Sequence, residues 1–193
     1  MTAEIVKPYV CIGWGSLLWN PGSLARRGGW HREGPELPVE FARISDDGRL
    51  TLVVWPQALR IRTYWVELNV TSLESARESL AVREGCGVEQ IGSWTPRASS
   101  ALVQPVAIEQ VDAWARPRSL AGVVWTDLPS RFQDRVGKKW SPETALEYLR
   151  SITRDDVKAR CEEYVRRAPE QTQTRTRSLA EKELGWSPRS EGY

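Results

Sequence analysis

The chain has 193 residues, with 27 Lys and Arg against 25 Asp and Glu for a formal net charge of +2, and 40% of it is apolar or aromatic. At roughly 100 to 200 residues per domain, this fits one globular domain with room for a terminal appendage. Basic and acidic residues number 8 and 6 over 1–63, 9 and 9 over 64–140, and 10 and 10 over 141–193. No third is therefore a polycation of the kind that binds nucleic acid through backbone charge. No apolar run approaches the roughly 18 residues that span a bilayer, and Met1 to Val10 lacks a signal-peptide core before Pro8. The expected partners include no nucleic acid and no membrane, and the expected address is the cytoplasm.

Cys11, Cys86 and Cys161 are odd in number, far apart and without a CxxC pair, which argues against a disulfide framework or a thiolate zinc site. His31 is the only histidine, so a histidine-rich metal site is excluded, and no metal is expected. Carboxylates and backbone groups are left to carry any catalysis. Ten Trp against two Phe suggest that indoles fill the core, with one or two open to lining a pocket.

In chain order, Tyr9 to Trp14 reads as a short buried strand, and Gly15 to Gly22 as a loop with its own turn at Asn20-Pro21-Gly22. Val39 to Ser45 and Arg49 to Trp55 read as strands joined by the hairpin residues Asp46-Asp47-Gly48. Ile61 to Val70 reads as one further strand, with Tyr64, Val66, Leu68 and Val70 on one face. Thr71 and Glu74 have capping-box spacing, so a helix is expected from there to the glycines 85 and 87. Ala101 to Ile108 and Gly122 to Leu128 read as strands. Ser141-Pro142 opens a helix to about Ile152, and Thr153 to Asp156 opens another that ends before Pro169. Glu170 to Tyr193 reads as a polar tail with one helical turn around Ser178 to Leu184, and Thr174 to Arg177 as a solvated face.

Along the helix after Thr71, residues Leu73, Ala76, Leu80 and Glu84 share a face, which aims the Glu84 carboxylate inward. Partial burial and the negative end of the helix dipole both disfavour charge there. A raised pKa, suited to a proton shuttle near neutral pH, is the expectation. Arg83 is expected not to oppose it, because adjacent helix positions do not face each other. The glycine loop Gly13-Trp14-Gly15-Ser16-Leu17-Leu18 lacks both the sixth glycine of a dinucleotide fingerprint and the frame of a nucleophile elbow. Its main chain is open to use either as an anion nest for a carboxylate or as a plain turn.

The segment Gly13-Trp14-Gly15-Ser16-Leu17-Leu18-Trp19-Asn20-Pro21-Gly22 resembles the signature loop of the γ-glutamylcyclotransferase superfamily, closest in form to the ChaC-like, glutathione-specific branch. Phe41, Arg43, Ser45 and Gly48 are similar to that family's second and third strands. Trp65 to Leu68 followed by Leu80 to Gly85 is similar to its strand, helix and closing Glu-Gly, and Gly122 to Trp125 to a later barrel strand. The resemblance covers much of residues 9 to 128. It implies an α+β fold, a small mixed β-barrel with flanking helices over 1–140, and leaves 141–193 as a helical extension and polar tail packed on the same domain.

It further implies an enzyme that cyclises a γ-glutamyl group to 5-oxoproline and releases an amine or peptide, with no cofactor. Glu84 would be the catalytic acid/base, and Trp14, Gly15, Ser16 and Leu17 would bind the small-molecule γ-glutamyl substrate, with Trp14 where the family usually has tyrosine. Tyr64, Tyr148 and Tyr164 are open candidates for the missing hydroxyl. Arg43 and Arg62 are candidates to pair a substrate carboxylate, and Glu67 is a second candidate acid. Two other readings stand beside this one. In the first, a cyclotransferase-fold protein without turnover binds a small carboxylate ligand or a protein partner. In the second, Arg26, Arg27, Trp30, His31 and Arg32 contact nucleic acid, which Glu33 and Glu36 weaken.

Overall fold

The computed structural model describes residues 7–102 and 104–189. The signal-peptide reading of Met1 to Val10, position Val103 and the end of the tail fall wholly or partly outside them. In chain order the elements are β1 (Tyr9–Gly13), α1 (Ser16–Trp19), β2 (Arg26–His31), β3 (Glu36–Ile44), β4 (Leu50–Val54), β5 (Arg60–Arg62), β6 (Tyr64–Leu68) and α2 (Leu73–Glu84). They continue with β7 (Ile91–Trp94), β8 (Ser99–Ser100), α3 (Ala107–Ala115), β9 (Gly122–Thr126), α4 (Phe132–Val136), α5 (Pro142–Ser151), α6 (Asp155–Arg167) and α7 (Arg175–Leu184). The class is α+β, as expected.

The expected barrel does not close. The described strands form a six-stranded sheet in the order β2-β6-β1-β9-β7-β8 and a separate three-stranded sheet in the order β4-β3-β5. The ends of the larger sheet suit open edges: β2 is exposed and breaks register between Arg27 and His31, and β8 has only two residues.

The centre of the larger sheet explains both layers. Strand β1 pairs antiparallel with β6 and parallel with β9, and apart from its first residue it is buried throughout. Because side chains alternate faces, Val10 and Ile12 enter one apolar cluster with the smaller sheet and the C-terminal helices, while Cys11 enters a second under α2. Strand β9 repeats the division, with Val123 and Trp125 on one side and Val124 on the other.

Several elements differ from expectation. The stretch 61–70 is two strands, because Thr63 turns inward, its Oγ1 donating to Pro35 O at 2.6 Å, and the chain changes sheets there. Helix α2 is capped by Ser72, whose hydroxyl accepts from Ser75 N at 3.1 Å, not by Thr71. Gly85, at φ 64°, ends it in the left-handed conformation that glycine adopts readily. Among the described residues of 101–108 the expected strand is absent. Residues 107–115 are helical, and Ala107, Val111, Trp114 and Ala115 bury one face at helical spacing. The loop after Gly15 contains the single helical turn α1.

The largest difference lies in the tail. Helix α7 has ten residues rather than one turn, and Thr174, Thr176 and Arg177 are buried, not solvated. Thr174 and Arg177 find partners there, Thr174 Oγ1 accepting from Arg177 N at 3.2 Å, while the Thr176 hydroxyl has none among the described residues. Arg177 donates to Ala168 O at 2.5 Å, Pro169 O at 2.6 Å and Thr172 O at 3.1 Å. The buried Glu40 of β3 accepts from Arg175 N at 3.0 Å, so a carboxylate from the small sheet caps the first turn of α7. Helix α5 starts at Ser141 with the expected reciprocal cap, completed by Thr144. Helices α6 and α7 pack on β4 and β3, and α5 on α7. No helix among the described residues is long and apolar enough to cross a membrane.

If Glu40 clamps α7 in this way, Glu40→Ala is expected to lower stability by about 2 kcal/mol and the melting temperature by roughly 4–8 °C. Urea and thermal denaturation followed by circular dichroism measure both. An unchanged midpoint would contradict the clamp.

Candidate active site

Because β1 and β9 run parallel, their C-terminal ends open on the same edge of the sheet. The glycine loop leaves β1 there, and Thr126 ends β9 there. Helix α2 terminates beside them, the tip of the β3–β4 hairpin closes one side, and α6 lies across another. Between these elements is a cavity of about 390 Å³ lined by Trp14, Ser16, Leu17, Arg43, Glu84 and Tyr164, among others.

Four of the five residues expected at the site therefore line one cavity. The fifth, Gly15, does not. Its α-carbon is covered by the phenol of Tyr164, so close that a β-carbon added at Gly15 would lie 2.4 Å from the phenol oxygen. With φ at 64° as well, position 15 requires glycine on two independent grounds.

Glu84 is mostly buried. Its Oε1 accepts from Arg83 Nη1 at 2.7 Å and from Thr126 Oγ1 at 3.3 Å. The expectation that Arg83 faces away is overturned. Its guanidinium is turned by Asn20 O, which accepts from Nε at 3.2 Å and from Nη2 at 2.6 Å, while Nη2 also reaches Ser16 Oγ at 3.4 Å. One planar fork thus ties the end of α2 to the glycine loop, and a long side chain held at its tip meets its sequence neighbour despite helix geometry.

Tyr164 also lines the cavity. Of the three open candidates it is the one at the loop. Burial pushes its phenol up, while the backbone and hydroxyl of Ser16 and the backbone of Leu52 oppose that shift. Trp19 meets its ring edge-on at 5.4 Å, and Arg49 lies over it at 5.8 Å. Tyr148 instead donates to Gly48 O at 2.6 Å, away from the loop. The spacing of Val157, Cys161, Tyr164 and Val165 marks Tyr164 as inward-facing on α6, but nothing local marks where it lands. Trp14 is buried, and its Nε1 donates to Leu52 O at 3.4 Å, so the indole is fixed in the wall.

The remaining candidates separate. Arg43 lines the cavity and donates from Nη1 to Pro129 O at 2.5 Å. Arg62 lies outside the cavity lining and pairs with Glu36 at 2.7 Å on the surface. Glu67 borders a different, smaller hollow with Tyr9 and Arg27. His31, from the basic cluster, stacks on Trp65 at 4.3 Å. Sequence reasoning missed Arg49, Asp46 and Thr126 as lining residues. Among the described residues no group of three or more His, Cys, Asp or Glu is placed to hold a metal ion.

Cys86, half-buried just beyond Glu84, has its thiol pushed up to about 11 by burial, then by Glu84 and Glu89, against a smaller opposing effect of Arg43. Because only the thiolate reacts, alkylation by iodoacetamide at pH 8 should be about a hundredfold slower at Cys86 than in the unfolded chain. The rate should rise about tenfold per pH unit until it levels off near pH 11. Mass-spectrometric labelling rates check this, and levelling off near pH 9 would contradict it. Comparison with known proteins gives no match: no family model, no curated protein and no solved structure is significantly similar to this chain.

Proposed function

We propose that the chain is a γ-glutamylcyclotransferase-like enzyme, acting in the cytoplasm on a small γ-glutamyl compound. The observation that carries this reading is the convergence of Glu84 with Trp14, Ser16 and Leu17 on one cavity, the carboxylate and the loop bridged by Arg83. The loop's resemblance to the family's signature adds to it.

In the proposed reaction the substrate's own α-amine attacks its γ-carbonyl carbon. A new C–N bond closes the five-membered lactam, and the bond from the γ-carbonyl carbon to the leaving nitrogen breaks. Glu84 takes the proton from the attacking amine and returns it to the leaving nitrogen, so the products are 5-oxoproline and a free amine or peptide. The nucleophile is intramolecular, and holding the glutamyl chain bent supplies much of the acceleration. The apolar faces of Trp14, Leu17 and Leu52 suit that task. Thr126 and Arg83 both hold the carboxylate by its Oε1, and Tyr164 brings a hydroxyl to the loop. The reaction requires neither metal nor cofactor.

A second reading, a pocket that binds a small carboxylate without turnover, is favoured by the fact that Arg83 already engages the Glu84 carboxylate at 2.7 Å.

The test is 5-oxoproline release from glutathione, γ-glutamyl amino acids and γ-glutamyl amines by the wild type and by Glu84→Gln. The cyclotransferase reading expects release by the wild type and a fall in kcat of about 10²- to 10⁴-fold in the variant, at unchanged melting temperature. Equal rates in the two proteins would remove Glu84 from the chemistry. Binding without release by the wild type would favour the second reading.

A further inference from the structure

We infer that Arg43 binds a free carboxylate on the leaving part of the substrate, so that the site selects γ-glutamyl amino acids or peptides over γ-glutamyl amines. The inference rests on the cyclotransferase reading above and specifies its substrate class.

Three arginines line the cavity, and two are matched. Arg83 pairs with Glu84 at 2.7 Å, and Arg49 with Asp47 at 2.7 Å. Arg43 is 8% exposed and makes no ion pair among the described residues. The acceptor of its guanidinium is the Pro129 carbonyl, a single neutral oxygen for a group with five N–H donors. Its surroundings do not balance the charge. Burial lowers its pKa, and the nearby Arg131 lowers it further, against smaller effects of Asp46, Cys86 and Glu84. Neither carboxylate is available to it. Asp46 is held by Arg131 and Arg135, both at 2.8 Å, and Glu84 by Arg83 and Thr126. A buried cation is stable when an anion completes it, and here the cavity is the open side from which one can arrive.

The position of Arg43 selects which anion. The inner end of the cavity is closed by Trp14, Leu52 and Tyr164, none more than 7% exposed. Its rim is the hairpin tip, where the Asp46 side chain is 77% exposed. A glutamyl group that must fold back beside Glu84 fits the closed end, and the part that varies among substrates extends to the rim. Arg43 stands on β3 three residues before Asp46, along that path. Its planar fork suits a carboxylate bound through both oxygens.

γ-Glutamyl-alanine and γ-glutamyl-ethylamine differ by that one carboxylate. Binding of each is measured by calorimetry in the Glu84→Gln background, and 5-oxoproline release in the Glu84 background, with Arg43 intact or changed to Gln or Lys. With Arg43 intact, the alanine compound is expected to bind about 10- to 100-fold more tightly and to show the lower KM. Arg43→Gln should abolish that difference at little cost to ethylamine-compound binding. Arg43→Lys, which keeps the charge and a donor for Pro129, should retain part of it, and serves as the readout if the glutamine variant does not fold.

No preference with Arg43 intact, or a preference unchanged in the variants, overturns the inference while release leaves the cyclotransferase reading in place. Equal weakening of both ligands would place Arg43 on the α-carboxylate they share and also overturn it. A preference that depends on Arg43, with release from neither compound, supports the anion site and refutes the cyclotransferase reading. Binding of neither ligand overturns the inference, and with no release either it refutes both.

Discussion

Strand β1 has almost no solvent face, and much of the molecule follows from that. A strand buried on both sides must be apolar at successive positions, and Val10, Cys11 and Ile12 satisfy this in turn. Its neighbours must then supply a layer on each side. Helix α2 covers one, and the small sheet with the C-terminal helices covers the other. The parallel pairing with β9 places two strand ends on one edge, where the backbone leaves the sheet and side chains of different elements converge. The cavity lies at that edge, for the same topological reason that ligands favour the carboxyl ends of parallel strands.

Within that frame, the arrangement of the site depends on a few long polar side chains rather than on shape alone. Arg83 spans the gap between helix end and loop with bonds to Asn20, Ser16 and Glu84. Such a bridge fixes relative position in two directions at once, which a single hydrogen bond cannot do. Tyr164 performs the corresponding task from the other side, filling the space that glycine leaves at position 15. The indole at position 14 is fixed in the cavity wall by its nitrogen, which donates to Leu52 O.

What could be read from the sequence was what local chemistry dictates. The hairpin at Asp46-Asp47-Gly48, the stop at Gly85 and the cap at Ser141 are each written within a few residues, and the structure has all three. The pairing of Glu84 with the glycine loop came from resemblance, not from spacing. The failures were non-local. A run such as Ala101 to Ile108 has apolar residues compatible with strand or helix, and only burial against the sheet decided for helix from Ala107. The polar tail gives no local sign of its helix because Glu40, which caps it, lies more than a hundred residues earlier, even though the acceptors of Arg177 lie within ten. Tyr164 and Arg83 belong to the same class: their roles depend on where a side-chain tip ends, which the pattern along one helix does not specify.

The clamp between Glu40 and α7 also sets a schedule for biosynthesis. Strand β3 can pair with β4 as soon as the hairpin is made, since that contact is local. Its carboxylate, however, is destined for burial against a backbone amide 135 residues downstream, and until α7 emerges from the ribosome it must stay hydrated. The inner face of the small sheet therefore remains ajar while most of the chain is being translated, with Phe41 and Leu52 awaiting the helices that cover them. Because Tyr164 arrives in that same late group, the cavity at the end of β1 and the final seal of the fold are completed together. A nascent chain lacking its last helices is an unsealed, aggregation-prone intermediate, not a smaller version of the finished protein.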